Sequence, residues 1–281
     1  MRILVTGAAG LLGREIVEQA GLRGHDVEGV THADLDVRQG DQVARTVQRC
    51  RPDAIVHCAA YTAVDRAESE PEVARAVNRD GTLHVARSAA MAGAQLLFVS
   101  SDYVFDGRKG SPYLPLDEVG PLSVYARTKL EGELAALENA PSSMVVRTSW
   151  LYGRENGFVP AILRRAARGE RLRVVGDQRG RPTFAPHAAS AMLDLLERRV
   201  QGVWHVAGGG ECTWLELARE AVRLAGLDVE IAATSSVEFG SPARRPAYSV
   251  LDLGATESAL GRTMTHWREA LSIYMQGWKR P

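Results

Sequence analysis

Tyr125 and Lys129 stand four residues apart in the stretch YARTK. On a helix that spacing puts a phenol and an amine on one face, a turn apart. Such a pair can do proton chemistry at a carbonyl. A phenol ordinarily titrates near 10, and a cation held beside it favours the phenolate, so Lys129 is expected to make Tyr125 more acidic. The chain has three lysines (Lys109, Lys129, Lys279) and otherwise uses arginine for positive charge. A compact ammonium with three donors suits a crowded site better than a planar guanidinium does. The same two residues would also suit a surface helix with a solvated lysine. Upstream, VSSDYVFDG sets Ser101 at the end of an apolar run, where a hydroxyl can hold a carbonyl oxygen beside the tyrosine. Serine at such a place is also an ordinary cap or turn former.

A second device lies at the start of the chain. RILVT runs into Gly7, Gly10 and Gly13, spaced three apart, and then into a helical pattern. Small residues let a backbone approach a pyrophosphate, and a helix start offers unpaired N–H groups and the positive end of its dipole. Placement directly after an N-terminal strand favours a dinucleotide site over a bare turn. The second strand ends in Thr31 and His32, neither an acid for a ribose hydroxyl nor an arginine for a ribose phosphate. NADH and NADPH therefore both stay open as cofactors. Asp36, a little further on, could meet the adenine edge or cap the next helix.

These groups need a scaffold that brings strand ends together. Short apolar runs alternate with amphipathic stretches through the first half, the pattern of βαβ units around a parallel sheet. The expected strands are 2–6, 26–30, 53–60, 95–101 and one within 143–153. Val43 and Val47 should face inward from the second helix, Pro71 should open one long helix over 71–93, and Ser123 should cap the helix of Tyr125. The predicted class is α/β, a Rossmann-type doubly wound sheet with a smaller α/β substrate-binding lobe. Residues 1–150 form the dinucleotide-binding domain, a strand near 202–209 returns to its sheet, and 151–281 form most of the second lobe.

Composition narrows the classes. Among 281 residues, Lys plus Arg balances Asp plus Glu at 34 each, so no global field draws nucleic acid or an anionic membrane. Three scattered cysteines without C-x-x-C fit a reducing compartment rather than a disulfide scaffold or a thiolate metal site. With no long apolar run and no signal-peptide layout, a cytoplasmic protein is expected.

The glycine turn, HCAAYTAVDRAESEP, SSDYVFDG, YARTKLEGE and RTSWLYG together resemble the extended short-chain dehydrogenases/reductases, and within them the dTDP-4-dehydrorhamnose reductase family. DQRGRPTFAP and RRPAYSVLD carry the likeness into the second half. The resemblance implies that Gly10, Leu11 and Leu12 line the pyrophosphate. Asp36 and Val37 sit near the adenine, and Ala60, Tyr61 and Thr62 border the cofactor. Tyr125 gives the proton and Lys129 binds the nicotinamide ribose. Ser101 stands where the family usually has threonine and holds the sugar with Asp102, while Trp150 covers it. The implied substrate is a dTDP-4-keto-6-deoxyhexose, and the implied state a monomer or homodimer. Arg181, Arg244 and Arg245 are candidates for its pyrophosphate, each equally readable as an ordinary surface charge. Glu15 matches a position that holds Mg²⁺ in some relatives, but no complete set is present and no essential metal is expected. The alternatives are another nucleotide 4-ketosugar of an antibiotic pathway, an epimerase with the same triad, or a non-catalytic regulatory subunit that binds cofactor.

Overall fold

The computed structural model describes residues 1–154 and 157–279. The first half runs β1 (Arg2–Thr6), α1 (Leu11–Leu22), β2 (Asp26–Val30), α2 (Gly40–Cys50), β3 (Ala54–His57), α3 (Val64–Ala67), α4 (Pro71–Arg75), α5 (Gly81–Ala92), β4 (Gln95–Ser101), α6 (Val124–Asn139) and β5 (Met144–Thr148). The second half adds β6 (Leu151–Tyr152), α7 (Phe158–Ala167), β7 (Leu172–Val175), β8 (Arg179–Gly180), β9 (Thr183–Phe184), α8 (Ala185–Glu197), β10 (Gly202–His205), β11 (Cys212–Thr213), α9 (Trp214–Leu224), β12 (Ile231–Thr234), α10 (Ser236–Phe239), α11 (Gly254–Leu260) and α12 (Trp267–Gln276).

Six strands pair in parallel in the order β2-β1-β3-β4-β5-β10. Alternation along each strand sends apolar side chains to both faces. Ile3, Val5, Val56 and Leu97 pack below α1 and α8, while Leu4, Ile55, Leu96 and Phe98 pack below α2 and α5. Burial on both faces is why these strands read as unbroken apolar runs. Leu12, Ile16 and Ala20 of α1 are buried, as are Val43 and Val47 of α2. Strand β3 stops at His57, three residues short of the expected end, because the chain must turn away there to border the cavity. The helix expected over 71–93 is broken by a π-helical turn, Ala76–Asp80. α8 and β10 lie beyond residue 150 yet complete the sheet layer, α8 packing on α1. α11 also packs on this layer, against α8 and β10, and the rest of the second half holds α10, three two-stranded pairs (β6–β9, β7–β12, β8–β11) and helices α7, α9 and α12, with a separate apolar cluster that includes Tyr152, Leu163 and Trp267.

The strand order reverses between β1 and β3, so a crevice opens at the carboxyl ends of the strands. A cavity of about 1100 Å³ lies there.

Candidate active site

Gly7, Gly10, Leu11, Leu12, Asp36, Val37, Ala60, Tyr61, Thr62, Ser101, Asp102, Tyr125, Lys129 and Trp150, singled out above for cofactor or sugar, line this one cavity; the arginine candidates for the substrate pyrophosphate do not. The glycine turn is built by contact with the segment that follows β3. Gly7 has φ +69°, and a Cβ there would fall 2.6 Å from the Ala59 nitrogen. A Cβ on Gly13 would fall 2.2 Å from the Gly7 carbonyl oxygen. Gly10 precedes α1 without any side-chain cap, so the first N–H groups of the helix are left for an anion. These features fit a pyrophosphate. Asp36 is gripped by Arg38, with Nε at 2.9 Å and Nη2 at 2.6 Å, and its carboxyl lies below the usual range through that bond. His32 and Arg38 also line the cavity.

Tyr125 and Lys129 sit in the first two turns of α6, which Ser123 caps by accepting from the Ala126 N–H at 3.2 Å. Caps of this kind are worth about 1 kcal/mol. Lys129 is buried; Nζ donates to the Val99 carbonyl at 2.7 Å and lies 4.1 Å from the centre of the Phe98 ring. Burial pulls the ammonium down to about 7, against a raising influence from Glu133. Tyr125 is half-buried, its ring edge-on to Tyr103 at 6.2 Å. Burial pushes its phenol up to about 12, Ser101 lowers it by hydrogen bonding, and Lys129 is not among the groups acting on it. The expected acidification of Tyr125 by Lys129 is thus absent from this geometry. Desolvation outweighs it, and the ammonium is turned toward β4.

Ser101 ends β4. Its Oγ donates to Asp102 Oδ1 and accepts from the Tyr103 N–H, both at 3.2 Å. Asp102 is 2 % exposed. Burial pushes its carboxyl up to about 7, while Ser249, donating at 2.5 Å, and Ser101 act in the opposite sense.

Asn78 is a positioning residue that pattern reading missed. It lies fully buried in the π-helical turn, a geometry often found at functional sites. Its Oδ1 accepts from the Tyr61 N–H at 2.8 Å, and its Nδ2 donates to the Tyr61 carbonyl and to Thr128 Oγ1. Thr128 in turn donates to the Tyr125 carbonyl at 2.9 Å. One amide therefore joins the cofactor-border loop to the Tyr125 helix. Next to it, Thr82 spends its proton on the Asn78 carbonyl, so His57 Nε2 must donate to Thr82 and His57 Nδ1 accept from Thr6. Burial holds His57 neutral, at about 3. A polar residue inside an amphipathic helical pattern was the one available signal for Asn78.

The opposite wall is aromatic. Trp150 has φ +46°, a strained conformation for a bulky residue. Its indole stacks on Trp214 with ring centres 3.5 Å apart and planes 8° apart. Trp214 donates to Gln178 and leans on Phe158 at 4.6 Å. Gly180 lies against the same indole; a Cβ there would come within 2.5 Å of it. Trp214 and Phe158 line the cavity, and neither was foreseen.

The arginine candidates divide. Arg181 ties together the Leu251 and Gly210 carbonyls, at 2.6 and 2.9 Å, so it staples loops rather than facing a pyrophosphate. Arg245 is held bidentately by Asp65, at 2.8 and 3.0 Å, and Arg244 is exposed. Glu15 is buried and paired with Arg154 at 2.7 Å.

Comparison with known proteins agrees with this construction. A family model described as RmlD substrate binding domain matches residues 1–279. A dTDP-4-dehydrorhamnose reductase of Streptomyces griseus is 41% identical over 96% of this chain and 92% of its own length. A probable dTDP-4,6-dihydroxy-2-methyloxan-3-one 4-ketoreductase of Streptomyces antibioticus is 38% identical over 96% of this chain and 93% of its own. The crystal structure of dTDP-4-dehydrorhamnose reductase from Bacillus anthracis in complex with NADP superposes with a TM-score of 0.95 at 34% identity, covering 99% of each chain. With a sheet that opens at its switch point, a glycine cradle at that opening and a family match along nearly the whole length, this chain belongs to the RmlD substrate binding domain family, within the extended short-chain dehydrogenase/reductase fold.

Proposed function

We propose that this protein reduces the C4 ketone of a dTDP-4-keto-6-deoxyhexose, dTDP-4-dehydrorhamnose or a close relative, with NADPH or NADH. The observation that carries the reading is the convergence of Tyr125, Lys129 and Ser101 with the glycine cradle on one cavity. The nicotinamide cofactor supplies the hydride. Gly7, Gly10, Leu11 and Leu12 hold its pyrophosphate at the start of α1. Asp36 and Val37 flank the adenine side, and Ala60, Tyr61 and Thr62 the middle. Lys129 holds the ribose next to the nicotinamide. Ser101 and Asp102 hold the sugar, and Trp150 closes over it from the aromatic wall.

Tyr125 donates the proton. A phenol near 12 is fully protonated at neutral pH, and an alkoxide formed by hydride addition is a much stronger base than a phenolate. What the step requires is a loaded donor in reach, with Ser101 and Lys129 stabilising charge as it develops. General acid help of this kind is worth about 10²–10⁴ in rate.

Residues 1–150 with β10 would carry the cofactor, and most of 151–281 the sugar nucleotide. The balanced charge supports a cytoplasmic enzyme without nucleic-acid or membrane partners, acting as a monomer or homodimer; no described helix is long and apolar enough to cross a membrane. The pairing of Glu15 with Arg154 supports activity without an essential metal, so chelator should leave turnover unchanged.

The test mixes purified protein with a dTDP-4-keto-6-deoxyhexose and each reduced nicotinamide, follows cofactor absorbance, and identifies the product by NMR. One cofactor oxidised per C4 alcohol formed is expected. Epimerised ketone without net cofactor oxidation, or binding without turnover, would reject the reading. A second reading, a different nucleotide 4-ketosugar, is favoured by the name of the Streptomyces antibioticus relative. A panel of 4-ketosugars ranked by kcat/KM separates the two.

A further inference from the structure

The stripe that carries Tyr125 and Lys129 continues one turn further, to Glu133. Its side chain is buried, yet three donors from two side chains converge on it. Arg147 from β5 donates through Nε at 2.9 Å and Nη2 at 2.7 Å, and Ser100 from β4 donates at 2.5 Å. Arg147 also donates to the Pro115 carbonyl and lies over the Phe105 ring, 4.9 Å from its centre. A buried ion pair is a poor way to gain stability, since apolar side chains of similar volume often do as well. Its place directly behind Lys129 suggests another use.

The contacts of Lys129 in β4, a carbonyl and a ring face, are both uncharged. The titratable groups around it are His57 and Cys58 at the end of β3, and Tyr125 and Glu133 on its own helix. Burial keeps His57 neutral and pushes the Cys58 thiol up to about 12, as it does the Tyr125 phenol. Glu133 is the one of the four held in an ion pair, with Arg147 at 2.7 Å. Glu133, one turn behind on the same buried stripe, raises the Lys129 ammonium against burial, with a smaller raising influence from Cys58.

We propose that Glu133, locked by Arg147 and Ser100, is a positioning residue that keeps the Lys129 side chain charged at the edge of the cofactor cavity. Its value to catalysis rests on the function proposed above, but the charge of Lys129 can be read without turnover. Because the chain holds only three lysines, isotope-labelled lysine gives three side-chain NMR signals, and K129M identifies the one of interest. In E133Q the Lys129 titration midpoint should fall by about one pH unit or more, and the alkaline limb of the kcat/KM profile should move the same way. E133D, which keeps the charge, should stay near wild type. If E133Q does not fold, E133Q/R147Q buries two neutral amides instead, and the midpoint should fall there too. An unchanged midpoint in whichever of these variants folds overturns the proposal, as does an E133D shift equal to that of E133Q. If the Lys129 signal shifts as expected but the wild type reduces no 4-ketosugar, the function fails and the Glu133 inference stands.

Discussion

On the sheet-edge wall of the cavity, the residues proposed to meet cofactor and ketone stand at or just beyond a strand end, or in the first two turns of a helix. Gly7 follows β1, Tyr61 follows β3, Ser101 ends β4, and Tyr125 and Lys129 open α6. On the opposite wall, Trp150 turns out of the end of β5 with a strained backbone, and Trp214 arrives from α9, 64 residues further along the chain by their numbers. Ring stacking, Phe158, Gly180 and a hydrogen bond to Gln178 hold the two indoles together, beside the two-residue β8–β11 pair and a Thr183 N–H bond to the Trp150 carbonyl. The first wall is positioned by backbone hydrogen bonds shared across a sheet. The second is positioned by side chains, loops and two-residue strand pairs outside that sheet. Chemistry common to many substrates can be built on the first, and choice of substrate on the second.

If that division holds, changes on the two walls should separate into effects on turnover and effects on substrate affinity. The largest effect should come from K129R. The site around Lys129 is closed by the Val99 carbonyl and the Phe98 ring, and a guanidinium overfills it. Turnover should fall by at least about 100-fold, measured by steady-state kinetics with folding checked by circular dichroism. Full activity would show that charge alone suffices there.

Next, Gly7→Ala should place a Cβ against the Ala59 backbone at positive φ. Strain of roughly 1–3 kcal/mol should lower Tm and weaken cofactor binding, with both read in one titration of thermal shift against NADPH. On the other wall, Trp214→Leu should raise KM for the sugar nucleotide roughly tenfold. It should leave kcat and the cofactor Kd nearly unchanged. A fall in kcat with unaltered KM would erase the distinction between the walls.

The smallest effect is in stability. The Lys129 midpoint is about 7 in the folded chain against the ordinary 10.5, so the unfolded chain binds the extra proton between those values. The penalty of the buried ammonium is full below about 7 and is relieved as pH rises toward 10.5. K129M should therefore be more stable than wild type at pH 6, and the gap should narrow by pH 10. Denaturant unfolding at the two values checks the sign.

How much of this was legible beforehand follows the same line. The cradle could be read because three glycines directly follow an apolar strand, and the α6 pair because helical spacing alone sets it. Asp36 and Tyr61 line the cavity as the motif resemblance implied. Asn78 was hidden because it sits in a π-helical turn, a local slip of the helical register that the pattern over 71–93 does not announce. Trp214 and the Glu133–Arg147 pair depend on contacts between distant segments, which no local period encodes. The acidity of Tyr125 was misjudged because spacing reports which groups are near but not how much water they lose. Arg181 was misjudged for a related reason: a cation in a Gly- and Pro-rich loop can serve the loop's own carbonyls.

The central claim is that Tyr125 hands its proton to the ketone as hydride arrives. Single-turnover reduction of the dTDP-4-keto sugar by cofactor-loaded wild type and Tyr125→Phe tests it most directly. The variant should react slower by about 10²–10⁴ with its cofactor Kd within about twofold of wild type. Equal single-turnover rates in the two proteins would contradict it.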